Sequence, residues 1–382
     1  MKDLATKNTK DTKKVWPKVR LGDVCEEIRE RISSSKVSVE CYVTTDNMVK
    51  GCGGVRVADN VPESVGLVCY QKGDVLLSNI RPYLKKSWLA DRDGGCSNDV
   101  IVFRSLRSDL SPEYLFRVLS QDGFFDYSMQ NVSGTKMPRG KRDWIKSFQF
   151  PLPPLSVQRE IVARLEKELG EADKLAAKFK RVAELADDAF KAELDETFKA
   201  LEGERVRLGQ VEDTGRIILG RGKIISKIDI NACPGDYPVY SSSAMGDGEI
   251  GRYGKYMFDD KRITWSIDGG GRLFYRDVAR YSVTNVCGWL KVVDPQIDTK
   301  YLYYGLTSAW LEIDFNYVHK AHPSVIRNEY YVALPPASIQ RAIVAKLDAA
   351  KERCEKLKAA AMRGHAAAEN LRKAILAEAF EQ

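Results

Sequence analysis

The start of one helix is written twice in this chain. Leu152 to Leu165 reads LPPLSVQREIVARL and Leu334 to Leu347 reads LPPASIQRAIVAKL, with ten of fourteen positions identical at an offset of 182 residues. The repeat continues downstream through Lys174/Lys356, Leu175/Leu357, Lys191/Lys373, Ala192/Ala374, Leu194/Leu376, Glu196/Glu378 and Phe198/Phe380. Upstream the offset becomes 187, pairing VRLGDV (Val19 to Val24) with VRLGQV (Val206 to Val211), Ser97-Asn98 with Thr284-Asn285, and Tyr114-Leu115 with Tyr301-Leu302. The second copy is therefore five residues shorter between about 121 and 151. Two long copies with one loop-sized length change describe an internal duplication rather than a solenoid.

The matched tails are helical in their spacing. Pro153-Pro154 and Pro335-Pro336 stop any preceding strand, and Ser156 is expected as the helix N-cap. Apolar residues then recur at three and four: Leu165, Leu169, Ala172, Ala176, Phe179, Ala183, Ala186 and Phe190 in the first tail. The second tail has Leu347, Ala350, Cys354, Leu357, Ala361, Gly364, Ala368, Leu371 and Ile375. A narrow apolar seam on a charged rod needs a partner rod, and alanines with Gly364 let two backbones come close. A helix of this length reaches roughly 65 Å at about 1.5 Å per residue. Two such helices separated by a globular body most simply pair antiparallel, as a coiled coil.

The bodies preceding the tails are expected to be α+β. Short β-prone runs stand at 41–44, 66–70, 75–77 and 100–103, and again at 237–240, 262–265, 273–275 and 288–293. Ser111-Pro112 marks a short helix start, and a second helical stretch lies near Tyr301. The expected layout is a flexible basic leader over 1–15, a first body over 16–152, a first rod over 153–203, a second body over 204–334 and a second rod over 335–382. The leader's Lys2, Lys7, Lys10, Lys13 and Lys14 fit a disordered tail.

Several function classes drop out. Among 382 residues, 44% hydrophobic and 30% charged, no run approaches the ~20 apolar residues of a membrane span, and the first fourteen lack a signal-peptide core, so a cytoplasmic location is expected. Eight cysteines stand singly, with neither a disulfide framework nor metal-ligand spacing. There is no GxxxxGK[ST], HExxH or GxSxG, and no Asn-Pro-Pro-aromatic segment for methylating adenine. Gly246 to Gly251 matches GxGxxG, but RYGKYMF follows it instead of a helix.

What the loops do carry is positive charge, within a net +7. In the first body the candidates for phosphate and base contact are Arg81, Lys85 and Lys86 in SNIRPYLKK, and Lys136, Arg139, Lys141 and Arg142 in SGTKMPRGKRDWIK. In the second they are Lys223, Arg252, Lys255, Arg272 in GGGRLFYR, and His319, Lys320 and His322 in HKAH.

Two divergent bodies, each closing on an LPPxSxQRxIVxxL-type start of a long helix, resemble the specificity subunit of a type I restriction-modification system. SNIRPYLKK, VRLGDV/VRLGQV and SGTKMPRG are similar to stretches of that family, over nearly all of 16–382. WSIDGGGRLFYRD departs from a shorter glycine-serine version in many relatives. The resemblance implies two target recognition domains reading the halves of a split, asymmetric site in double-stranded DNA, with the helix pair fixing the unread gap. It implies two methyltransferase subunits around the helices and motor-nuclease subunits beyond them. S-adenosylmethionine, ATP and magnesium would reside on those partners, with no cofactor on this non-catalytic chain. Two other classes compete: a coiled-coil adaptor without DNA specificity, and a fused enzyme, against which the missing motifs argue.

Overall fold

A computed structural model describes residues 16–242, 246–268, 270–313, 315 and 319–380; the basic leader lies outside them. The chain divides into two compact units that do not follow chain order. One holds the described residues up to Lys180 together with those from Arg363 onward, and the other is Arg181–Met362. Each unit thus contains one body, the start of the helix that leaves it, and the end of the other long helix.

Both bodies are built on the same four-stranded antiparallel sheet. In the first, Val100–Ser105 lies between Cys25–Glu27 and Val75–Ser78, with Ser87–Leu89 at the edge. In the second, Cys287–Val292 lies between Ile217–Arg221 and Arg262–Ser266, with Leu273–Arg276 at the edge. Central strands begin 187 residues apart, at Val75 and Arg262 and at Val100 and Cys287. Val75–Leu77 and Val100–Phe103 read as apolar runs and are buried throughout because both faces are covered, and in the second body Arg262–Ser266 is equally buried although Arg262, Thr264 and Ser266 are polar. A second sheet completes each body, four-stranded in the first and three-stranded in the second.

The bodies close where they begin. Lys18–Arg20 pairs antiparallel with Gln149–Pro151, and Arg205–Arg207 with Tyr331–Ala333, immediately before each Pro-Pro. Ser111 caps the helix Pro112–Val118, its hydroxyl accepting from the Tyr114 amide at 3.1 Å, and Asp298 caps Thr299–Trp310. The long helices run Leu155–Lys199 and Ala337–Glu378. The first begins one residue before Ser156, so Ser156 sits inside the first turn and is not its N-cap. The Pro154 carbonyl instead accepts the amide of Gln158 at 3.0 Å.

The helices are antiparallel. In the first unit Asp173 meets Arg372 and Phe179 meets Gly364; in the second Asp187 meets Lys358 and Glu193 meets Lys346. Leu165, Leu169, Ala172, Ala176, Leu347, Ala361 and Ala368 are buried, while Phe179, Ala183, Phe190, Cys354 and Ile375 are intermediate. Leu357 and Leu371 depart from the expected seam, being 50% and 48% exposed. The seam passes one position later, along the half-buried stems of Lys358 and Arg372, whose heads reach carboxylates on the facing helix.

Two helical glycines differ in what surrounds them. A Cβ on Gly170 would meet nothing within 4 Å, whereas one on Gly364 would lie 2.4 Å from the Phe179 ring. Gly170→Ala should raise stability by about 1 kcal/mol through helix propensity. Gly364→Ala should lower it by about 1 kcal/mol, because the clash outweighs that gain, and should turn stabilising in a Phe179→Ala background. Denaturant unfolding of the four variants checks both signs.

Candidate nucleic-acid interface

Three loops of the first body meet where strands Val75–Ser78 and Val100–Ser105 end side by side. The Asn79 amide donates to the Asp99 carbonyl at 2.8 Å, the Gly140 amide to the Asn79 carbonyl at 3.2 Å, and the Arg81 amide to the Pro138 carbonyl at 2.7 Å. Gly140 packs closely there, a Cβ at that position lying 2.8 Å from Ile145 Cδ1 and 3.4 Å from Asn79 Oδ1. Arg81 and Lys85 bracket the turn Pro82–Leu84 with φ of 50° and 51°, a left-handed backbone that non-glycine residues adopt at a cost. Asn79 Oδ1, Arg81 Nε and Ser97 Oγ are buried there without a partner, three of five such atoms among the described residues. The junction is therefore not closed by the protein's own hydrogen bonds.

The expected contact residues fall into two groups. Some cations are spent internally. Lys85 pairs with Asp122 at 2.7 Å, and Lys86 donates to the Thr45 carbonyl. Burial lowers the Lys86 pKa, with like charge from Lys50 and Arg81 adding to it against Asp46. Arg142 binds the Glu27 carboxylate and donates to the Asn98 carbonyl at 2.9 Å. Arg139 faces Asp99 at 3.3 Å with both side chains 43% exposed, a weak and open pair. By contrast, the ammonium groups of Lys136 and Lys141 are exposed and have no hydrogen-bond or ion-pair partner among the described residues, and neither has the half-buried Arg81 guanidinium.

The second body follows the same division. Arg252 pairs with Glu249 at 3.1 Å, Lys320 with Asp268 at 2.9 Å, and His319 with Glu329 at 3.0 Å. His322 supplies the N-cap position of Pro323–Glu329 without a side-chain cap bond, and Arg272 lies over the Phe274 ring at 5.1 Å. The loop bearing Lys320 and His322 is tied to the sheet through Ala321, whose carbonyl accepts from Trp265 Nε1 at 2.7 Å. The ammonium groups of Lys223 and Lys255 are exposed, again without a partner among the described residues. Lys223 sits against Thr284, while Arg252 and Lys255 belong to a separate hairpin region.

Charge alone did not single out Glu27, Arg29 and Arg31. With Asn98 and Arg142 they line a cleft of about 370 Å³. Glu27 is buried, which pushes its carboxyl up, but its bonds to Arg142 and Arg29 prevail and hold it below the ordinary value. In the second body Arg327 binds Glu212 and Asp213, but at offset 187 Glu212 matches Cys25 and not Glu27, and Arg327 packs on Gly209 where Lys146 packs on Gly22. Ion pairs at different positions therefore tie the start of each body to its last short helix.

Arg142→Ala should lower stability by about 2 kcal/mol, since it removes the main partner of a buried carboxylate. The lowered Glu27 pKa means this contribution is present above about pH 4.3 and lost as pH falls through the folded value; unfolding at pH 7 and well below the folded value tests it. Lys141→Ala should leave stability unchanged and reduce the log–log salt slope of DNA binding by about one.

The family profile described as Type I restriction modification DNA specificity domain matches residues 13–177 and again 204–361. A Mycoplasma pneumoniae sequence named as the N-terminus of a type I specificity subunit is 44% identical over 88 residues, 22% of this chain and 46% of its own length. A second protein of that organism, also named as a type I specificity subunit, is 30% identical over 217 residues, 56% of this chain and 85% of its own. The chain thus spans about half of the first relative and most of the second. A solved chain from work on assembly and conformational transition of the type I R-M system has a TM-score of 0.78 at 22% identity, covering 96% of this chain and 97% of that one, a likeness of fold.

Proposed function

The chain belongs to the type I restriction-modification DNA specificity family, and on that footing we propose that it is the sequence-reading subunit of a type I complex. Each body reads one half of a bipartite, asymmetric site in double-stranded DNA, and the helix pair holds the two reading events at a set separation. The observation that carries this reading is the contrast within the duplication. Sheet order repeats, while the candidate cations without a partner among the described residues stand on unlike loops: Arg81, Lys136 and Lys141 in one body, Lys223 and Lys255 in the other. Repeated frames with unlike charged loops suit two readers of two different sequences.

The chain itself performs no chemistry in this proposal. Adenine methylation, with S-adenosylmethionine, and ATP- and magnesium-dependent restriction belong to methyltransferase and motor-nuclease subunits bound to it in the cytoplasm. Among the described residues no helix is long and apolar enough to cross a membrane. Two like methyltransferase subunits are supported by a second duplicated feature. Leu175 and Leu357 are equivalent, each follows a lysine, and they are 40% and 50% exposed, so the helix seam does not explain why both are leucine.

Methylation mapping in cells with and without the gene tests the function: loss of a bipartite methylated motif is expected, and an unchanged methylome would leave only an adaptor role. Deleting matched turns from both helices should alter the gap while the half-sites stay the same. Leu175→Asp or Leu357→Asp should each reduce bound methyltransferase from two copies to one in native mass spectrometry. Exposed positions of this kind change stability by only about 0.5 kcal/mol.

A further inference from the structure

We propose that Ile224 and Ile228 recognise thymine methyl groups in the half-site read by the second body, an inference that rests on the DNA-reading function above. They are the two most exposed large apolar side chains among the described residues, at 81% and 79%, and they stand on one short segment. That segment is rigidly held. Ser226 and Asp229 form a reciprocal capping box at the start of Lys227–Ala232, the Ser226 amide reaching Asp229 Oδ2 at 2.7 Å and the Asp229 amide reaching Ser226 Oγ at 3.1 Å. Ile230 is buried and packs over Gly251, anchoring the helix by its opposite face. Ile228 is therefore held outward, and its β-branch leaves it few rotamers.

The surroundings point to a nucleic acid as the occupant. Lys223 and Lys227, on the same segment, have ammonium groups with no partner among the described residues, and the carboxylates of Asp229 and Glu249 are engaged, Asp229 in the capping box and Glu249 with Arg252. The segment also abuts the repeated Thr-Asn position: Lys223 bridges to Thr284, and Arg221 donates to the Asn285 carbonyl. In the first body the matching Ser97-Asn98 lies at the loop junction described above. Stiff apolar side chains flanked by free ammonium groups complement the floor and walls of the major groove. There the thymine methyl is the apolar feature and the phosphates are the anions.

The test uses the full chain co-purified with its methyltransferase partner and its mapped target, with thymines of the second body's half-site replaced singly by uracil, which removes only the methyl. Binding by the unaltered protein should weaken about three- to fivefold at one or two positions. Ile224→Ala and Ile228→Ala should bind thymine and uracil targets alike at those positions, with unchanged thermal unfolding, and Ile228→Val should keep the discrimination. Equal binding of all uracil targets by the unaltered protein, or a half-site without A·T pairs, would overturn the inference alone. Shedding of the methyltransferase by the alanine variants would also overturn it, assigning the patch to a protein contact. Absence of any bipartite selection would overturn the DNA-reading function, and this inference with it.

Discussion

A buried side-chain amide joins each body to the helix that leaves it. Gln158 donates to the carbonyls of Pro153 and Asp109, both at 2.7 Å, and accepts from the Ser111 amide at 2.9 Å. Gln340 repeats this with Pro335 at 2.7 Å, Gln296 at 3.0 Å and the Asp298 amide at 2.8 Å. These side chains are 0% and 2% exposed, so every bond replaces one that water can no longer supply. At roughly 1 kcal/mol per bond the net gain is modest, but leaving the buried groups unpaired would cost more. The Pro-Pro pair makes the geometry possible. It ends strand pairing, and a carbonyl flanked by a residue without an N–H is free to accept the glutamine.

From that clamp the rest of each unit is assembled. Because Gln158 also holds the start of Pro112–Val118, that helix is oriented against the long one, and Tyr114 can donate to the Pro151 carbonyl at 2.8 Å. Tyr301 does the same to the Ala333 carbonyl, also at 2.8 Å. Each tyrosine then receives an aromatic from the far end of the other long helix: Phe380 lies 5.7 Å from Tyr114, and Phe198 lies 5.5 Å from Tyr301. Leu376 and Phe380 thus join the first body's core, and Leu194 and Phe198 pack with Tyr301 and Tyr304 in the second. The matched ends seen in the repeat, Leu194/Leu376 and Phe198/Phe380, are explained by this exchange.

Period and repetition made much of this legible. The long helices, the strand runs and the Ser111 cap follow from local letters, and the duplication follows from the offsets. Reading went astray where a charged residue did an apolar job. Apolar spacing favoured Leu357 and Leu371, yet the stems of Lys358 and Arg372 fill the seam while their charges find Asp187 and Asp173. The glutamine was visible in both copies, but nothing local says that its partners lie at Asp109 and Gln296. Charge-rich loops had the same difficulty. Lys141 and Arg142 are neighbours in sequence, and only the fold brings Glu27 to one of them and leaves the other unpaired.

That difference bears on how such a chain can change what it reads. The constraints that build a unit are carried by the glutamine clamp and the tyrosine–phenylalanine closure, both of which appear in both halves. Substituting any of them removes buried bonds or core contacts, so divergence there is costly. Lys136 and Lys141 in one body, and Lys223, Ile224 and Ile228 in the other, are exposed and contribute little to folding. Replacing such residues alters the exposed surface at almost no cost in stability. The bodies can therefore drift apart in what they contact while the frame that holds them stays the same.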